Sequence, residues 1–146
     1  ALAELVRRLS IPVIASGDLF SAHDGISRIR ATGAHTVMYA RGALHNPAIF
    51  HDHAELLAGR EPIPADPARL AALIALHMAL IRRFASPAHP DAAVWKMRSV
   101  VPRYVKHLPG AKAIRLALCR CHSWEEVHAA LARTLGPLPG IEETYD

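Results

Sequence analysis

Two short apolar runs, Ile11–Ala15 and Thr36–Tyr39, each lead into small residues and a glycine, and an amphipathic segment lies between them. That order restricts the fold more than any other feature of the chain. A short run that is apolar on both faces reads as a parallel strand. Parallel neighbours need a crossover, usually a helix. Leu2, Leu5, Val6 and Leu9, spaced i, i+3, i+4 and i+7, mark the end of a helix just before the first run. The pattern is that of successive β/α units, with Ser16-Gly17-Asp18 and Ala40-Arg41-Gly42-Ala43 as the loops at the C-terminal ends of the strands. In a (β/α)8 barrel the loops at that end form the site, and late in the barrel they commonly hold a phosphate. A whole barrel takes about 200 residues at the least, and the chain has 146. The expected fold class is α/β, beginning as a C-terminal fragment of a (β/α)8 TIM barrel.

Local signals extend this reading. Ser21 and Asp24 form a weaker version of the capping box, opening a helix that turns Ile26 and Ile29 inward and stops at Gly33. Asn46 and Pro47 predict the N-cap and first residue of a further helix, running through Ile49, Phe50, His53 and Leu57 to Gly59. Three prolines in Glu61-Pro-Ile-Pro-Ala-Asp-Pro67 read as a linker. Beyond it every pattern is helical. Asp66 caps, Pro67 sits at N1, and Leu70, Leu73, Ile74, His77, Ile81 and Phe84 form one stripe. After a break at 86–90, a helix over 92–107 bent by Pro102, a turn at Leu108-Pro-Gly110 and a helix over 111–121 follow. A capping box at Ser123-Trp-Glu-Glu126 opens the last helix, which ends near Gly136. The expected domains are the end of a barrel at 1–60, a linker at 61–67 and an all-α helical bundle domain at 68–146.

Charge is uneven along the chain. Residues 1–81 carry seven basic and seven acidic side chains, residues 82–133 carry ten and three, and residues 134–146 carry three acids and no base. A basic segment attached to a neutral one suits a polyanion, with RNA or DNA first, although a solvated helical surface has the same composition. No apolar run approaches the ~18–20 residues of a membrane span. Cys119 and Cys121 are too close in sequence for an ordinary structural disulfide, so a reducing, cytoplasmic setting without a membrane is expected.

The chemistry is expected in two places. Gly17 and Gly42 let backbone approach a ligand, and Arg41 can bond a phosphate in two places, although two ordinary βα turns have the same spacing. Asp18 is an unusual neighbour for a phosphate and reads as a cap for the following segment. Lys96, Arg98, Arg103, Lys106, Lys112 and Arg115 are suited to a nucleic-acid backbone. Trp95 and Tyr104 fall at helical spacing and read as core, with base stacking as their other use. His77, on an apolar stripe, reads as a satisfied core histidine, with RNA contact second. Cys119-Arg-Cys121-His122 lacks metal-site spacing, His51 and His53 do not share a helix face, and no metal site is expected.

The runs Ile11-Pro-Val-Ile-Ala-Ser-Gly-Asp-Leu-Phe-Ser21 and Val37-Met-Tyr-Ala-Arg-Gly-Ala-Leu-His-Asn-Pro-Ala-Ile-Phe50 resemble the last two strand–loop units of the flavin-dependent tRNA-dihydrouridine synthases. His77, Lys96-Met-Arg98 and Arg103-Tyr-Val-Lys-His-Leu-Pro-Gly-Ala-Lys-Ala-Ile-Arg115 resemble that family's C-terminal helical domain. The resemblance implies that Ser16, Gly17, Asp18, Ala40 and Arg41, with Gly42 adjoining, grip the phosphate of FMN. It also implies that the helical domain binds tRNA. Ser16 stands where the family usually has Asn and Ala40 where it usually has Gly, and Ser99-Val100 replaces a usual Lys-His.

The implied reaction is reduction of the uridine C5=C6 bond in tRNA, with FMN as hydride carrier and NADPH as its reductant. The family's catalytic cysteine lies on a loop before the portion seen here, and Cys119 and Cys121 do not match it. No catalytic residue is therefore expected in this chain. The expected partners are tRNA and the missing N-terminal part of the barrel. Competing readings are a non-catalytic RNA-binding fragment and an FMN barrel oxidoreductase acting on a small metabolite.

Overall fold

The computed structural model describes residues 1–140 except Ala65, Pro87, Pro90 and His107, and of Asp91 only the backbone. The tail acids Glu142, Glu143 and Asp146, and His107, lie outside the described residues; the helix expected over 92–107 ends at Tyr104, where Val105 and Lys106 turn. Two units form, Ala1–Pro64 and Ala65–Asp146, and the boundary falls inside the proline-rich stretch.

In the first unit, helix α1 (Leu2–Arg8) leads to strand β1 (Ile14–Ala15), helix α2 (Ala22–Thr32), strand β2 (Thr36–Val37), and helices α3 (Arg41–His45) and α4 (Ile49–Leu57). The strands run parallel, with Ile14 opposite Thr36 and Ala15 opposite Val37. Two further bonds flank the ladder, His35 N–H to the Val13 carbonyl at 2.9 Å and Met38 N–H to the Ala15 carbonyl at 2.8 Å. Both strands are shorter than the apolar runs that predict them. Each has only the other to pair with among the described residues, and a ladder ends where its partner does.

The expectation of strands buried on both faces fails as well. Leu19, Ala22, Tyr39 and Ile49 form a core with Val37, Ala43 and Leu56 against it. That core covers one side only. Ile11, Ile14 and Met38 are 66%, 62% and 54% exposed, because no layer of the described residues lies over them.

The capping signals around α2 are realised as read. Asp24 N–H donates to the Ser21 hydroxyl at 3.1 Å, Ser21 N–H donates back to the Asp24 carboxylate at 2.8 Å, and Gly33 closes the helix in the left-handed region at φ 71°. The start of α4 differs. Asn46 does not cap at Pro47. Its Oδ1 accepts from Ala48 N–H at 3.1 Å in a local turn, and the helix begins at Ile49. The residues before it form the short α3, which the sequence pattern did not suggest.

The second unit consists of helices α5 (Pro67–Arg83), α6 (Asp91–Tyr104), α7 (Ala111–Arg120) and α8 (Trp124–Leu135). Each packs on the next, and α8 returns to α5. Asp66 caps α5 by accepting from Arg69 N–H at 2.8 Å, with Pro67 at its first turn. Ser123 caps α8 through Glu126 N–H at 3.2 Å. Glu126 reaches back one residue further than a capping box requires, to His122 N–H at 2.6 Å. The core includes Ile74 and Met78 from α5, Val94, Met97 and Val101 from α6, Ile114 and Leu118 from α7, and Val127 and Leu131 from α8. Phe84 leaves the stripe assigned to it and is 74% exposed, because α5 ends one residue earlier. No helix among the described residues is long and apolar enough to cross a membrane. The result is a mostly helical α/β chain with two short parallel strands.

Candidate phosphate site and basic helical surface

Two loops meet at the C-terminal ends of β1 and β2. The first leaves β1 with Gly17 at φ 112° and Asp18 at φ 49°. A Cβ on Gly17 would meet nothing within 4 Å, so its backbone angle rather than space calls for glycine. Asp18 is the one non-glycine residue with positive φ among the described residues. Aspartate tolerates that region better than most side chains, and such residues gather at ligand-holding loops. Arg28 on α2 donates to the Gly17 carbonyl at 3.4 Å and braces the turn. At the far end, Phe20 N–H donates to the Asp24 carboxylate at 3.0 Å. Hydrogen bonding to Ser21, with the Phe20 and Ser21 amides adding to it, holds the Asp24 carboxyl below the usual carboxylate range.

The second loop runs from Met38 to Arg41 and turns directly into α3. Gly42 lies beneath it and is buried. A Cβ there would stand 2.2 Å from the Leu19 carbonyl oxygen and 3.1 Å from the Phe20 Cα. Glycine at this point lets the two loops touch backbone to backbone.

Ser16, Gly17, Asp18, Leu19, Phe20, Met38, Ala40 and Arg41 line one pocket of about 150 Å³. Whole cofactor-sized ligands take about 300 Å³ or more, so this pocket suits one end of a ligand, such as a phosphate. The six residues selected from sequence thus come together, five in the wall and Gly42 behind it. Leu19, Phe20 and Met38 were not selected. Their only sequence signal is apolar character next to a glycine loop.

Arg41 donates to Asp18 Oδ1. Its guanidinium also lies over the Phe20 ring, 5.6 Å from the centroid, and Phe20 stacks on His45 at 6.3 Å. Asp18 is therefore an ion-pair partner and not a cap. Ser21 and Asp24 already satisfy the first turn of α2, leaving that role filled. The Arg41 and Asp18 side chains are 70% and 73% exposed. Exposed pairs contribute about 0–1 kcal/mol, so an incoming anion can displace the carboxylate. The donor set fits a phosphate: a planar guanidinium, a serine hydroxyl and a glycine loop at the mouth of parallel strands.

The six basic residues expected to meet a nucleic-acid backbone do not all share one surface. Lys96 and Arg103, seven residues apart on α6, lie on the same side and are exposed. Arg98 is half-buried on another side, toward Cys121, whose thiol burial pushes up and Arg98 partly pulls back. Lys106 is exposed just beyond α6, and Lys112 and Arg115 are exposed on α7.

The two aromatic residues of this segment separate. Tyr104 is core, 3% exposed, with its hydroxyl 2.8 Å from His77 Nδ1. His77 is thus the satisfied histidine its position suggested, and burial pushes its pKa down. Trp95 is not core. It is 59% exposed, because the inward face of α6 is taken by Val94, Met97, Val101 and Tyr104.

The family model described as dihydrouridine synthase (Dus) matches residues 1–135. The chain is 28% identical over 132 residues to the "Probable tRNA-dihydrouridine synthase" of Mycobacterium tuberculosis, a match covering 89% of this chain and 33% of that protein. It is 40% identical over 63 residues to "tRNA-dihydrouridine synthase B" of Xanthomonas axonopodis pv. citri, covering 43% of this chain and 19% of that protein. It is 42% identical over 50 residues to the "tRNA-dihydrouridine(16) synthase" of Haemophilus influenzae, covering 34% and 16%. The chain spans about a third of the length of the mycobacterial relative that it matches over most of its own length. With the family model extending over nearly all of its residues, the chain belongs to the dihydrouridine synthase family.

Proposed function

We propose that the chain is the C-terminal portion of a flavin-dependent tRNA-dihydrouridine synthase, holding the cofactor's phosphate and the tRNA while the reacting centre is built by preceding residues. In this reading residues 1–60 are the last two β/α units of the FMN-binding (β/α)8 barrel, 61–67 a linker, and 68–146 a helical tRNA-binding domain. The relatives' names specify tRNA and dihydrouridine. The observation that carries the proposal is the single pocket joining Ser16, Gly17, Asp18, Ala40 and Arg41 from two loops 23 residues apart.

Bound FMN, re-reduced by NADPH, would supply hydride chemistry for the uridine C5=C6 bond. The residues of this chain would do the holding. Arg41 would exchange the Asp18 carboxylate for phosphate oxygens, keeping its plane fixed over Phe20. Ser16 would add its hydroxyl, and Gly17 would keep the backbone low enough for close approach. Ala40 and Asp18 would close the sides, and Gly42 would keep the loops in register. Lys96, Arg103, Lys106, Lys112 and Arg115 would neutralise tRNA phosphates, with Arg98 at the margin. The exposed Ile11, Ile14 and Met38 would be covered by the rest of the barrel.

FMN affinity tests the phosphate assignment. Arg41→Gln removes charged hydrogen bonds worth about 1.5–3 kcal/mol and should weaken FMN binding about 10- to 100-fold, while riboflavin, which lacks the phosphate, should bind variant and parent alike. Equal FMN affinity in the two would overturn the assignment.

A further inference from the structure

We infer that Trp95 stacks on an unpaired base of the bound RNA, giving a surface that otherwise meets only phosphates one contact to the bases. This rests on the tRNA reading above and adds to it a residue and a mode of contact.

A large apolar side chain exposed singly on a helix is ordinary. The surroundings distinguish this one. Trp95, Ser99 and Arg103 follow at i, i+4 and i+8 on the outward face of α6, a stripe about 12 Å long. Lys96 stands beside it. The Ser99 hydroxyl donates to the Lys96 carbonyl at 2.7 Å, so it lies against its own helix and nothing tall stands between the indole and Arg103. The charge is one-sided: between Asp91 and Glu125 the chain has seven Lys or Arg and no Asp or Glu. A polyanion meets no repelling carboxylate along this stretch.

Among the described residues, the other Phe, Tyr and Trp rings of the unit are already engaged. Tyr104 is buried against His77. Trp124 carries the Arg82 guanidinium 5.5 Å from its ring, and Phe84 carries that of Arg83 at 5.6 Å. Among the described residues no ring or guanidinium lies on Trp95. An open indole among cations, on a helix whose one acid is its first residue, Asp91, matches how single-stranded nucleic acid is held: charges track the backbone and an aromatic face takes a base of any identity. Paired bases in an A-form helix are stacked away from such a ring, so the contact selects loops and other unpaired segments.

The test uses the whole 146-residue chain and unmodified tRNA. Trp95→Ala should weaken binding about 5- to 150-fold and leave the salt dependence of the affinity unchanged, because no phosphate contact is removed. Trp95→Phe should restore part of the loss. In a Trp124→Phe background the remaining indole fluorescence should be quenched by tRNA and not by a fully paired RNA duplex. Lys112→Gln with Arg115→Gln should weaken binding and flatten the salt dependence. If that pair weakens binding while Trp95→Ala binds as tightly as the parent and no quench occurs, stacking is wrong and the tRNA reading stands. If tRNA does not bind the parent chain, the tRNA reading itself fails. Equal quenching by duplex RNA would overturn the unpaired-base assignment, and tRNA binding insensitive to salt would overturn the phosphate contacts of the surrounding cations.

Discussion

Arg41 from the second loop donates to the Asp18 carboxylate of the first, at the mouth of the pocket that both line. The cation best placed for a phosphate is therefore already balanced by an acid 23 residues away in the chain. A bound anion must compete with Asp18 for it. Asp18→Asn removes the competing charge and keeps a residue that tolerates φ 49°. Exposed pairs of this kind contribute about 0–1 kcal/mol, so FMN or inorganic phosphate should bind up to about fivefold more tightly to the Asn variant. Calorimetric titration measures this, and weaker binding would mean that Asp18 is itself a ligand.

Gly17 and Gly42 call for glycine for different reasons, and alanine should separate them. At Gly42 the added Cβ would lie 2.2 Å from the Leu19 carbonyl oxygen, a backbone atom that cannot swing aside. Gly42→Ala should destabilise by about 1–3 kcal/mol, as overpacking does, and should also spread the loops and weaken anion binding. Gly17→Ala meets no atom but must hold φ 112°. Its cost should be about 1–3 kcal/mol of backbone strain. Urea denaturation followed with phosphate titration distinguishes the two, since relaxation of Gly17→Ala to an ordinary φ would change the loop without a packing defect.

The His77–Tyr104 pair makes the second unit sensitive to acid. Burial lowers the His77 pKa below its ordinary value of 6.5. The unfolded chain therefore binds a proton at His77 at a higher pH than the folded one does. The contribution of this site to stability is complete above about 6.5 and falls as pH drops from there toward the folded value. His77→Phe should reduce the slope of stability against pH between 7 and 5. Tyr104→Phe leaves His77 Nδ1 without its 2.8 Å partner and should cost about 1 kcal/mol at pH 7.5. Chemical denaturation across this range tests both. An unchanged slope in His77→Phe would show that His77 does not set the acid sensitivity of the second unit.

Exposure of the β1 face gives a prediction for the chain by itself. Ile14 is 62% exposed, so Ile14→Thr should change the stability of the 146-residue chain by no more than about 0.5 kcal/mol, as surface substitutions do. In a protein that also contains the barrel units proposed above, the same change should cost about 1.5 kcal/mol or more, the scale of a buried aliphatic side chain. Thermal unfolding of both forms measures the difference. A large loss in the short chain would show that another surface already buries Ile14.

Local chemistry alone determined the positions of several helix ends. Ser21 with Asp24, Gly33, Asp66 with Pro67, and Ser123 act within four residues of themselves, so their effects are readable in order along the chain. The two loops were legible as neighbours for a related reason: each follows a strand, and parallel strands that pair bring the loops after them to the same end of the sheet. What lay outside the reach of sequence were relations between residues far apart in it. Asp18 reads as a cap until Arg41 stands beside it, and Gly42 reads as a ligand contact until the Leu19 carbonyl occupies the space of its missing Cβ. Trp95 and Tyr104 have the same helical pattern value, and only the packing of α6 on its neighbours put one inside at 3% exposure and the other outside at 59%. Hydrophobic character is a property of a side chain, whereas burial depends on which surfaces meet, and that is decided by the tertiary structure.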